Sequence, residues 1–211
     1  MMDKKKLSLV IISAPSGCGK DTVIEGVLKR LDNIGVSVSC TTRGPRKKPG
    51  GFEVEGKDYF FIERPAFEKR IGEGGFLEYA TFNGELYGTP RAYVDKLSAE
   101  GNDVVILNIE NQGAAQVKAL DPTAISIFLL PPDAATLYQR LLGRGSEEKP
   151  NADRRMAEGK AQMRMAYVYD YVVMNDDIEK AISEVVQIIS AARCRTTLHK
   201  ELIDRINATF D

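Results

Sequence analysis

The chain has 211 residues and a mass of 23.3 kDa, with 29 Lys and Arg against 30 Asp and Glu and 43% hydrophobic residues. That balance fits one large globular domain, or a core with an inserted subdomain, and excludes bulk disorder and collagen-like or mucin-like chains. A net charge of −1 argues against a general nucleic-acid coat or an anionic-membrane binder, and three scattered cysteines are too few for a disulfide framework or a zinc site.

The start, Lys4 to Lys6, leads into an apolar run closed by Pro15 and Gly17. That run is too short for a signal peptide, and no apolar stretch approaches the roughly 20 residues of a membrane span. A cytoplasmic address is therefore expected. Residues 7–12 are apolar and rich in β-branched side chains, which predicts a strand buried on both faces. Small residues fill 13–19, and then Val23, Val27, Leu28 and Leu31 recur at helical spacing over 20–31. Strand, glycine-rich turn and helix open an α/β nucleotide-binding unit. Further core strands are expected at 36–40, 103–109, 124–130 and 171–174. Helices are expected at 89–99, 112–119, 133–142, 152–169 and 178–191, with Asp133 as an N-cap after Pro131-Pro132. Residues 43–87 break this alternation with clustered glycines and aromatics, which predicts a small, twisted β-rich insertion. Polar residues 143–153 lie between two helices and read as a lid.

The turn after the first strand, Ala14-Pro15-Ser16-Gly17-Cys18-Gly19-Lys20-Asp21-Thr22, is close to a Walker A loop, G-x-x-x-x-G-K-[ST]. Gly17 and Gly19 let successive N–H groups converge on a phosphate, the helix N-terminus adds a favourable dipole, and Lys20 reaches the terminal phosphates. Ala14 replaces the first Gly of the motif, and Asp21 replaces its Ser or Thr. Asp21 leaves two readings open. It is a hard ligand for the Mg²⁺ that accompanies ATP, direct or through water, or it is only a helix N-terminal charge. Thr22 is a fallback hydroxyl, one residue late.

Ser39-Cys40-Thr41-Thr42-Arg43-Gly44-Pro45-Arg46 resembles the T-T-R-x-P-R segment of guanylate kinases, and Gly56-Lys57-Asp58-Tyr59-Phe60-Phe61 resembles their G-x-D-Y-x-F segment. Phe76-Leu77-Glu78-Tyr79-Ala80, Leu86-Tyr87-Gly88-Thr89, Gln112-Gly113, Gly143-Arg144-Gly145, Arg154-Arg155 and Val173-Met174-Asn175-Asp176 are similar to further blocks of that family, in family order. Each block is weak alone; together they cover nearly the whole chain.

The resemblance implies an α/β fold: a P-loop NTPase-type parallel sheet flanked by helices, with a small β-rich GMP-binding insertion and a helical lid. The expected division is a core of 1–42 and 88–211, including a lid at about 139–170, and an inserted subdomain at 43–87. The implied reaction moves the ATP γ-phosphoryl to GMP, with dGMP as a second acceptor, and gives ADP and GDP. The implied partners are ATP and GMP, with no nucleic acid and no membrane, in a monomer or homodimer. Lys20, Arg43, Arg144 and Arg155 would be catalytic, and residues 14–22 together with Asn175 would bind ATP. Ser39, Arg43, Arg46, Tyr59, Glu78, Tyr87, Thr89 and Glu110 would bind GMP. A carboxylate at Glu78 suits guanine, whose N1–H and 2-amino donors are adjacent, and repels the N1 acceptor of adenine.

Two departures stand out. The stretch 47–52 lengthens the connection after Arg46, and Asn108 and Glu110 stand where the family has an acidic residue, one intervening residue and then Asp. Residues 1–50 carry ten Lys and Arg against four Asp and Glu, an excess that suits phosphate handling. Three alternatives compete: a related kinase of another acceptor such as ribose 1,5-bisphosphate, a non-catalytic guanylate-kinase-like interaction module, and a P-loop GTPase or motor. The acceptor insertion, the intact Lys20 and the absence of an N-K-x-D motif favour the guanylate kinase reading over them.

Overall fold

The computed structural model describes residues 7–48, 50–143 and 149–210. Its elements run β1 (Ser8–Ser13), α1 (Lys20–Leu28), β2 (Ile34–Val36), β3 (Cys40–Thr41), β4 (Lys47–Lys48), β5 (Gly51–Phe52), β6 (Phe60–Phe61), α2 (Arg64–Gly72), β7 (Phe76–Phe82) and β8 (Glu85–Pro90). They continue with α3 (Arg91–Ala99), β9 (Val104–Asn108), α4 (Asn111–Leu120), β10 (Ile125–Leu130), α5 (Ala134–Leu142), α6 (Lys149–Met163), β11 (Tyr171–Met174), α7 (Ile178–Arg193) and α8 (Lys200–Asn207).

Five strands form a parallel sheet in the order β11-β10-β1-β9-β2. Strand periodicity divides its side chains between two layers. Val10, Ile12, Ile106, Ile127 and Leu129 face α1 and α7, where Val23, Val27, Val185 and Ile189 complete one core. Leu9, Ile11, Val105 and Leu107 face the other way, toward Val94, Leu97, Ala114 and Val117 on α3 and α4. Burial on both faces is why these strands read as continuous apolar runs.

A second, four-stranded sheet has the order β6-β3-β8-β7 and its own small core of Cys40, Phe67, Phe76 and Leu86. Phe67 and Phe76 stack with ring centroids 4.3 Å apart. This sheet reaches from Cys40 to Pro90, and the expected 43–87 span lies inside it.

Several boundaries differ from expectation. The strand expected at 36–40 is two strands. β2 ends at Val36 in the core sheet, and the chain resumes pairing at Cys40 in the smaller sheet, against β8 and β6. The stretch 43–87 also holds a helix, α2, whose only buried residue is Phe67, so no apolar stripe announces it. The helix expected from 89 starts at Arg91, because Thr89 and Pro90 complete β8; Pro90, which has no N–H, takes the N-cap position. The helix expected at 152–169 ends at Met163 and is followed by a 3-10 turn, Ala166–Val168. Asp133 does cap α5, accepting from Thr136 N at 2.7 Å. α8 lies beyond the last expected helix, and among the described residues no helix is long and apolar enough to cross a membrane.

Candidate functional site

The C-terminal ends of β1 and β9 open into a cleft of about 790 Å³ that the smaller sheet and α6 also border. This is the crevice where open parallel sheets bind ligands.

At one end lies the glycine-rich turn, Ala14 to Lys20, all of it on the cleft wall. Gly17 and Gly19 adopt φ of 87° and 86°, the left-handed region open to glycine. Cys18 N closes the turn on Pro15 O at 3.1 Å. The Cys18 thiol points into the core and meets Leu129 O at 3.5 Å, and burial pushes its pKa to about 11. Only the backbone of Cys18 is therefore available to a ligand. Asn175 is buried and donates through Nδ2 to Cys18 O at 2.6 Å, against the turn. Lys20 opens α1 and is half-buried; loss of solvent holds its ammonium below the usual lysine range, while Asp21 and Glu110 pull it back. Asp21 borders the cleft and accepts from Asn108 Nδ2 at 3.0 Å. Thr22 is exposed on the first turn of α1 and does not border the cleft.

At the other end the smaller sheet presents side chains. Glu78, on β7, is 5% exposed. Its Oε1 accepts from Thr89 N at 3.0 Å and Thr89 Oγ1 at 2.7 Å, across the β7–β8 pair. Burial pushes the Glu78 carboxyl up, and the bonds from Thr89 only partly offset this. Thr89 is thus a prop behind Glu78 rather than a wall of the cleft. A Cβ on Gly113 of α4 would sit 2.3 Å from Glu78 Oε2, so glycine there is what leaves room for the carboxylate.

Arg43 is buried at the end of β3, with its guanidinium 5.1 Å from the centroid of the Tyr59 ring. Glu53 grips it by both ends, Nη1–Oε2 at 2.5 Å and Nη2–Oε1 at 2.8 Å. The same Glu53 accepts from Arg46 N at 2.7 Å. Burial raises the Glu53 carboxyl, but these bonds and the two arginine charges outweigh it and hold the group below the usual carboxylate range. Tyr59 and Tyr87 meet edge to face at 5.9 Å. Ser39, Arg46, Tyr59, Tyr87 and Glu110 all border the cleft.

Helix α6 closes the third side. Arg155 borders the cleft, and its Nη1 donates to Ser16 Oγ of the glycine-rich turn at 3.4 Å. Gln162 Nε2 donates to Glu110 Oε2 at 3.2 Å, which ties α6 to the start of α4. Arg144, the other expected lid arginine, lies outside the described residues.

Sequence reasoning missed Glu53, Gly113 and the Asp21–Asn108 contact. Glu53 follows the lengthened stretch 47–52, and nothing in its neighbours distinguishes it from a solvated charge. Gly113 was visible within a motif, but its reason is a contact 35 residues away in sequence.

A glycine-rich turn, a buried carboxylate and two arginines thus border one cleft. A family model for guanylate kinase matches residues 6–192. The guanylate kinase of Symbiobacterium thermophilum is 43% identical over 93% of this chain and 90% of its own length. That of Thermotoga maritima is 42% identical over 95% and 94%. The crystal structure of guanylate kinase from Anaplasma phagocytophilum superposes with a TM-score of 0.72 at 28% identity, covering 93% of this chain and 95% of that one. On the family match across nearly the whole chain, this protein belongs to the guanylate kinase family.

Proposed function

We propose that the chain catalyses transfer of the γ-phosphoryl group of ATP to a phosphate oxygen of GMP, giving ADP and GDP. The observation that carries this reading is a single cleft with a phosphate turn at one end and the buried, oriented carboxylate of Glu78 at the other. A nucleotide at each end brings two phosphate chains together at Lys20 and Arg155. In this reading residues 43–87 form the acceptor-binding unit and about 139–170 the lid, on a core of 1–42 and 88–211.

The acceptor oxygen is already anionic, so the reaction needs no strong base. The barrier is charge crowding and misalignment, and fixed cations in a walled cleft lower it. Glu78 takes the N1–H and 2-amino donors of guanine, with Thr89 holding it from behind and Ser39 beside the base. Arg43, Arg46, Tyr59 and Tyr87 take the GMP phosphate. The Glu53 carboxylate occupies both Nη atoms of Arg43 while Nε has no partner among the described residues, so phosphate either displaces Glu53 or adds to this pair. The turn N–H groups and Lys20 hold the ATP phosphates, with Asn175 bracing the turn. Arg155, and in this reading Arg144, neutralise the transferring group.

Guanylate kinases use ATP with Mg²⁺. The residues here suit that ion: the carboxylates of Asp21 and Glu110 and the amide of Asn108 are hard oxygen donors on one wall of the cleft. Among the described residues no group of three or more His, Cys, Asp or Glu could hold a metal, which suits an ion bound mainly through nucleotide phosphates. When bound, Mg²⁺ supplies charge neutralisation at the β- and γ-phosphates.

The test is ADP release with ATP, Mg²⁺ and a panel of acceptors. GMP is expected to support turnover at least about 100-fold better than AMP, because a hydrogen-bonding site penalises a mismatched partner. UMP, dGMP and ribose 1,5-bisphosphate complete the panel. Preference for AMP or for ribose 1,5-bisphosphate would overturn the reading.

A further inference from the structure

In P-loop NTPases the metal that accompanies the nucleotide is held by the Ser or Thr of the loop and by an Asp on a separate strand. In this chain the loop place is altered, and the end of the strand beside it carries a neutral residue where the resemblance implies an acidic one. The residue after Lys20 is Asp21, and the end of β9, which pairs with β1, carries the neutral Asn108. The two side chains meet: Asn108 Nδ2 donates to Asp21 Oδ1 at 3.0 Å. A carboxylate can only accept, so this contact fixes which end of the Asn108 amide faces Asp21. Both side chains border the cleft next to Lys20, and among the described residues no Lys or Arg pairs with Asp21 within 4 Å.

We propose that charge has been transposed between these positions: Asp21 supplies the protein carboxylate for the divalent cation of the donor nucleotide, and Asn108 orients that carboxylate. The proposal rests on the ATP-dependent reading above and deepens its donor site. A carboxylate facing a polyphosphate repels it, and a divalent cation between the two removes the repulsion. Asp at both positions would place two like charges about 3 Å apart, which disfavours ionisation of one of them. The neutral amide at 108 avoids this and contributes a donor, so one negative charge remains on the pair. A helix N-terminal charge at Asp21 would need no such partner on β9. Asn108 is a positioning residue in this scheme, acting on the ion through Asp21.

The test uses Mn²⁺ as an electron-paramagnetic probe and a non-hydrolysable ATP analogue, without GMP. The quantity read is the factor by which Mn²⁺ tightens binding of the analogue to the protein. Asp21→Asn is expected to reduce that factor by roughly tenfold or more, and Asn108→Ala in the same direction by less. Affinity for the metal-free analogue should hold or improve in Asp21→Asn, because a repelling charge is gone. The exchanged variant Asp21→Ser/Asn108→Asp should recover most of the Mn²⁺ effect. Asp21 is exposed, so these changes leave the core intact, and unchanged thermal unfolding checks it. An unchanged factor in Asp21→Asn or in Asn108→Ala overturns the proposal, as does an exchanged variant no better than Asp21→Asn. Wild-type protein that binds the analogue with Mn²⁺ yet fails to phosphorylate GMP strikes the acceptor reading alone and leaves the transposition standing.

Discussion

In the proposed reading, the two ends of the cleft recognise phosphate in different ways. The donor end works with backbone: Gly17 and Gly19 in left-handed conformations, a turn closed by Cys18 N on Pro15 O, and Asn175 clamped on Cys18 O behind it. It grows directly from β1 at the centre of the five-stranded sheet. The acceptor end works with side chains on a four-stranded sheet whose own core is only Cys40, Phe67, Phe76 and Leu86 with a few partly buried neighbours. A backbone site tolerates changes of side chain, which is why Ala14 and Asp21 can depart from the usual motif without unmaking the turn. A side-chain site does not, because each hydrogen bond belongs to one residue. In this reading base specificity belongs to the smaller sheet, and the donor phosphates to the larger one.

Lys20 is the exception at the donor end, since its charge is not backbone, and removing it should have the largest effect. Lys20→Ala is expected to lower kcat about 10³-fold with the fold unchanged, because the ammonium stabilises charge on the transferring group. Steady-state kinetics alongside circular dichroism checks this; a kcat near wild type would mean that backbone alone runs the donor end. At the acceptor end, Glu78→Gln should lower kcat/KM for GMP roughly 100-fold while the KM for ATP stays put. Thr89 holds Oε1 with two bonds, so a Gln must turn its NH₂ toward the donors of guanine. If GMP kinetics are unchanged, Glu78 is not the base reader and Glu110 becomes the candidate.

The same contrast explains what was legible in the sequence. The core strands β1, β9 and β10 and the phosphate turn were readable, because burial on both faces and glycine spacing are local signals; β11, an exposed edge strand with only Val173 buried, gave the weaker signal. The motif positions of Arg43, Tyr59, Glu78 and Tyr87 were readable as a family pattern, and the structure brings all four to one cleft. What stayed hidden depends on contacts between distant segments. The break after Val36 follows from which sheet each residue joins, and α2 from one buried phenylalanine. Glu53 owes its place to a bidentate grip on Arg43, and Asn175 to a carbonyl 157 residues away. No periodicity encodes such pairings.

Gly113 sharpens the comparison, because it asks how closely the acceptor carboxylate must be placed. A methyl group there would lie 2.3 Å from Glu78 Oε2 and 2.8 Å from its carboxyl carbon. The other oxygen is pinned by Thr89, so the carboxylate must rotate or shift. Gly113→Ala is therefore expected to raise the KM for GMP about tenfold, in line with the loss that a sub-ångström misplacement causes. Alanine also favours α4 by up to about 1 kcal/mol over glycine, so the melting temperature should not fall much. Weakened GMP binding without loss of stability separates this effect from a damaged core. Unchanged GMP kinetics would show that the carboxylate has slack.

The smallest expected effect is on pH. Glu78 presents two acceptor oxygens only when ionised, and burial raises its pKa above the usual carboxylate value. The sign follows: at high pH the carboxylate is charged and GMP binds, and as pH falls the group protonates and one acceptor becomes a donor. Because the pKa is raised, this loss begins at a higher pH than for an exposed carboxylate. The KM for GMP should therefore rise several-fold on acidification, over and above any change in the KM for ATP. The GMP phosphate also titrates in mildly acid solution, so the informative quantity is a difference between proteins. Glu78→Gln keeps the phosphate titration and lacks the Glu78 arm. Binding of GMP measured across pH in both proteins should diverge toward high pH, where only the wild type gains, and converge toward low pH. Parallel profiles would mean that the carboxylate does not titrate in the working range, and that the acceptor end, like the donor end, reads its ligand with a fixed charge.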